Sequence, residues 1–126
     1  MSAELDAKWL ELVAAGKAEW APGMRAIDSD GQAARVVQAT GAAVLEDVGG
    51  AAYPMRSTPP DWSDAATLGA LLGQVRTRYM DPTIYARPDD GGWTLYNALG
   101  PVDPRGCRRS GLDEASALLY GLELAP

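Results

Sequence analysis

Three arginines crowd one thiol in the stretch Arg105-Gly106-Cys107-Arg108-Arg109. Guanidinium groups beside a cysteine favour its thiolate and so its reactivity. The same groups could instead grip a phosphate or a partner's carboxylate in bidentate fashion. Nucleophilic chemistry would need a base, and the chain contains no His. That absence removes Ser-His-Asp and Cys-His sites, a His general base and every His-ligated metal centre. One Cys also permits neither an internal disulfide nor a zinc knuckle. The stretch therefore reads as a basic loop balanced by nearby acids, with partner binding through Arg105, Arg108 and Arg109 as its functional alternative.

The acidic clusters suggest turns before they suggest catalysis. Asp28-Ser29-Asp30-Gly31 looks like part of a calcium loop. In that register, however, positions 1 and 12 fall on Ala26 and Val37, so both required oxygen ligands are missing. Asp89-Asp90-Gly91-Gly92 could pair two carboxylates for acid–base work, but only if both were buried together; a hairpin tip leaves them in water. Neither Gly-Gly pair has the spacing of a phosphate-binding loop. The expectation is an assignment of no catalytic residue, no metal and no cofactor. With no Phe in the chain, Trp9 and Trp93 are expected in the core. Trp20, just before a Pro, and Trp62, just before a helix, are the better candidates for a partner surface.

The elements that would carry these residues follow from periodicity. Leu5, Trp9, Leu12 and Val13 share one face of a helix over 3–15 that stops at Gly16. Two runs, 23–27 and 32–38, flank the Asp28–Gly31 turn as a hairpin, and 42–48 could extend it to a three-stranded meander. Gly49-Gly50 and Tyr53-Pro54 then break regularity. Pro59-Pro60 marks a joint, after which Asp61 or Ser63 caps a helix over 63–79 with Leu68, Leu71, Leu72, Val75 and Tyr79 on its apolar face. Gly69 and Gly73 lie one turn apart in that helix, and close packing within the chain is favoured over a contact between subunits. A second hairpin joins 83–87 to 92–99, with Trp93, Leu95, Asn97 and Leu99 on one face. A loop over 100–110 leads to a last helix over 111–123 that opens on a Ser110–Asp113 capping box.

This order gives an α+β class: an antiparallel sheet from two β-hairpins packed with three helices. Residues 1–126 form one compact domain, with sub-structures at 1–56 and 57–126. The net charge of −6 and pI near 4.5 exclude binding nucleic acid through its phosphates, which needs surplus Lys and Arg. No stretch approaches the ~20 apolar residues of a membrane span, and the acidic start is unlike a signal peptide. A cytoplasmic protein is expected.

The stretches Pro59-Pro60-Asp61-Trp62-Ser63-Asp64 through Leu72, Gly91-Gly92-Trp93-Thr94-Leu95-Tyr96, and Asp113 through Pro126 are similar to small uncharacterised phage and prophage proteins grouped as ABA-sandwich domains. Trp20-Ala21-Pro22-Gly23-Met24-Arg25 also resembles openings of phage proteins. The resemblance implies a helix–sheet–helix fold and a viral origin, and carries no activity or site residue. The long 100–110 loop departs from the pattern. The expectation is a non-catalytic accessory protein that acts on an unknown protein partner. One version is an anti-defence (anti-CRISPR-like) inhibitor that blocks a host complex. The alternative is a self-associating structural protein.

Overall fold

A computed structural model describes residues 3–27, 33–38, 44–47, 52–54, 59–89, 92–102, 110–111 and 113–125. In chain order the elements are α1 (Ala3–Ala14), β1 (Arg25–Ile27), β2 (Ala33–Gln38), β3 (Val44–Asp47), β4 (Ala52–Pro54), α2 (Ala65–Tyr79), β5 (Tyr85–Asp89), β6 (Gly92–Asn97), β7 (Gly100–Pro101), β8 (Ser110–Gly111) and α3 (Glu114–Leu124). The class is α+β, and the strands fall into two antiparallel sheets, one for each predicted hairpin. Contacts divide the chain into two units: Glu19–Ala70, and Met1–Ala18 together with Leu71–Pro126.

In the Glu19–Ala70 unit, β1 to β4 form a meander in sequence order. Its entry is a turn over Ala21–Met24, closed by the Met24 amide on the Ala21 carbonyl at 3.2 Å. Pro22 supplies the fixed φ of its second position, and Gly23, at φ +94°, the left-handed third position that a type II turn needs. Met24 behind it is fully buried. β2 alternates as a half-buried strand should: Ala34 and Val36 are buried while Arg35 and Val37 face out. Opposite β3 the register slips between Val36 and Gln38, leaving Val37 as a bulge. The fourth strand corrects the expectation of irregular chain at Tyr53-Pro54; Pro54 is tolerated because β4 is an edge strand. The opposite edge is covered by the Pro-rich joint, where Pro60 bridges Ala26 and the Asp61 amide donates to the Arg25 carbonyl at 2.8 Å.

The other unit is built around α3. This helix contacts β5, β6, β8 and α1, which explains why its apolar residues are not confined to one stripe. Ala115, Ala117, Leu118, Leu119, Gly121 and Leu122 are all buried. Its N-cap is Asp113, which accepts from the Ser116 amide at 2.8 Å; Asp113 thus holds the Ncap position itself instead of serving as the N3 residue behind Ser110. β6 is the central strand, paired with β5 along one edge and with β7 and β8 along the other. Thr94, Leu95 and Tyr96 are accordingly buried. Trp93 is half-buried instead of lying in the core, whereas Trp9 is 1% exposed, as expected of a core residue.

One glycine in this unit permits a close approach. A Cβ on Gly121 would lie 2.5 Å from Leu95 Cδ1 and 3.7 Å from Val75. The hydroxyl of Tyr79 donates to the Gly121 carbonyl at 2.9 Å, tying the end of α2 to the same spot. Gly69 and Gly73 are different. Both face open space, which corrects the expectation that they pack closely within the chain.

Two helices end in the same way. After α1 the Gly16 amide reaches the Val13 carbonyl and the Lys17 amide the Leu12 carbonyl, a Schellman motif with Gly16 at φ +72°. Val13, expected on the buried stripe, is exposed there. After α2 the Met80 amide reaches Thr77 and the Asp81 amide reaches Arg76, the same pattern. The left-handed position is here filled by Met80, at φ +52°.

Candidate functional site

The richest polar cluster among the described residues lies in the Glu19–Ala70 unit. Arg25 and Arg35 are register partners on β1 and β2. Each meets one acid of the Asp61-Trp62-Ser63-Asp64 segment. Arg25 Nη1 lies 3.3 Å from Asp61 Oδ2, and Arg35 Nη1 lies 2.7 Å from Asp64 Oδ2. Asp61 Oδ1 also accepts from the Ser63 amide and hydroxyl, at 3.1 and 2.6 Å. Asp64 is the N-cap of α2, accepting from the Thr67 amide at 3.0 Å and its hydroxyl at 2.9 Å. The cap is thus Asp64, and not Asp61 or Ser63 as expected, because the Asp61 carboxylate is held in its own turn. Thr67 is fully buried, and its hydroxyl accepts from the Arg25 amide at 2.8 Å.

The electrostatics are those of a fastening. Partial burial pushes the Asp64 carboxyl up, but the Arg35 guanidinium and the Thr67 hydroxyl and amide outweigh it and hold the group below its usual range. Both carboxylates are engaged by donors within the cluster. The cluster joins the start of α2 to the first two strands.

A second arrangement lies on the exposed side of β5 and β6. The rings of Tyr85 and Tyr96 stack with centroids 6.0 Å apart, and the Arg87 guanidinium sits 3.9 Å above Tyr96. This is a cation–π cover over a buried tyrosine.

The third arrangement is apolar, and the sequence reading missed it. Met80 is 88% exposed at the end of α2, and Leu99 is 98% exposed in the two-residue turn between β6 and β7. Leu99 is therefore a turn residue, not a member of the β6 face expected to hold Trp93, Leu95 and Asn97. The two residues flank one hydrogen-bonded joint. Asn97 Nδ2 donates to Asp81 Oδ2 at 3.1 Å, and the Leu99 amide donates to Asn97 Oδ1 at 2.8 Å. The Thr83 hydroxyl and amide both donate to Asp81 Oδ1, and these bonds hold the Asp81 carboxyl below its usual range, with Asn97 adding to them. A clue was present in the sequence for one of them: Met80 stands where a helix stop favours Gly or Asn.

Of the residues singled out from sequence, Trp20 and Trp62 are half-buried in the Glu19–Ala70 unit, beside the Pro22–Gly23 turn and the α2 cap. Arg105, Cys107, Arg108 and Arg109 lie outside the described residues, as do the Asp28–Gly31 turn and Asp90-Gly91. Among the described residues no group of three or more acids or cysteines could hold a metal ion. No helix among them is long and apolar enough to cross a membrane. No protein-family model, curated protein or solved structure matches the chain.

Proposed function

We propose that this chain is a non-catalytic accessory protein of phage or prophage origin that works by docking onto a larger protein. The observation that carries the reading is the exposed pair Met80 and Leu99. Met80 sits at a left-handed backbone position that favours Gly or Asn, and the Leu99 amide is held by Asn97, which also bonds Asp81 next to Met80. Burying two such side chains against a partner is worth about 1.5–3 kcal/mol each before the costs of association. Support for the viral origin comes from the sequence stretches quoted above.

The test is capture of partners from lysate of the source host, comparing the wild type with the Met80→Gly/Leu99→Asn double variant. The reading expects a specific partner whose affinity falls at least tenfold in the variant at unchanged fold. Equal recovery by both proteins would overturn it. Within this reading, an inhibitor of a host complex is favoured by charge. Residues 19–70 hold seven acids against three arginines, a surplus suited to a basic groove.

Self-association is the second reading. Its support is the outward face of α2, where Gly69 and Gly73 are exposed to open space. Each glycine costs about 1 kcal/mol of helix stability relative to Ala, and no packing among the described residues offsets it. Sedimentation at high concentration decides: a clean monomer eliminates this reading and leaves the first intact.

A further inference from the structure

We draw no further inference here: the strongest candidate, the exposed apolar corner of Met80 at the end of α2 and Leu99 in the β6–β7 turn, already carries the proposed function, and nothing in the structure shows what covers it.

Discussion

Met80 and Gly121 each occupy a position where the neighbouring residue type would be the ordinary choice. At +52° the Met80 backbone is left-handed, a conformation that costs a side-chain-bearing residue about 1 kcal/mol. Its side chain is almost wholly in water, so shortening it sacrifices little packing. Met80→Gly should therefore raise stability by roughly 0.5–1 kcal/mol, the gain being trimmed by the freer unfolded chain. Urea titration checks this: the midpoint moves up while the slope stays fixed. A lower midpoint would show that Met80 packs in a way its exposure conceals. Gly121 is the converse. Alanine is the better helix former by about 1 kcal/mol, yet its Cβ would strike Leu95, whose side chain is locked in the core. Gly121→Ala should lose about 1–3 kcal/mol by overpacking, and adding Leu95→Val should return part of that loss. Met80 left a faint trace in the sequence, whereas the role of Gly121 could not be read in advance. Propensity marks Gly121 as a weak point in α3, and only the approach of β6 shows what it makes room for.

The elements themselves were largely legible, because period and punctuation are local. Helix α1 begins and ends within a residue of expectation, and Gly16 does stop it. The hairpin expected between 83–87 and 92–99 is found as Tyr85–Asp89 paired with Gly92–Asn97, its first strand shifted two residues toward the turn. What local pattern does not resolve is which of several suitable residues takes a role. Asp61, Ser63 and Asp64 are all good caps, and the choice among them is made by where Arg25 and Arg35 stand on the sheet. Asp64→Ala should cost about 1–2 kcal/mol, losing the cap and leaving Arg35 without its carboxylate. Ser63→Ala should stay within about 0.5 kcal/mol. Thermal unfolding of the two variants separates them, and equal losses would mean that the cap is shared. β4 escaped notice for a related reason: a three-residue edge strand ending in Pro has no periodicity to detect. The exposed corner escaped because an apolar residue in a turn resembles the last residue of a strand.

For the molecule as a whole, the titrating groups define two pH edges. The carboxyls of Asp64 and Asp81 are held below their unfolded value of 3.8. Their stabilisation is complete above that value and disappears as pH falls through the lower folded values. Stability should therefore drop as pH falls below 3.8, and less steeply in Asp64→Asn. Lys8 behaves oppositely. Its hydrogen bond to Glu123 raises its pKa above 10.5, with further help from the charges of Glu123 and Glu11. That contribution is full below 10.5 and is lost as pH climbs through the raised value. Denaturant midpoints measured across the range check both edges. An acid limb unaltered by Asp64→Asn would remove that carboxyl from the account.

The packing of α1 on α3 has a consequence for how the protein is made. Lys17, just past the first helix, donates to the Glu123 carbonyl 106 positions later. A ribosome releases the first helix well before it makes α3, which that helix contacts in the folded chain. At about 5–20 residues per second that wait lasts on the order of 5–20 s. Residues 19–70, being contiguous, can settle in the meantime. Helix α1 thus waits in translation for the contact that α3 supplies, and removing α3 would leave it without that contact.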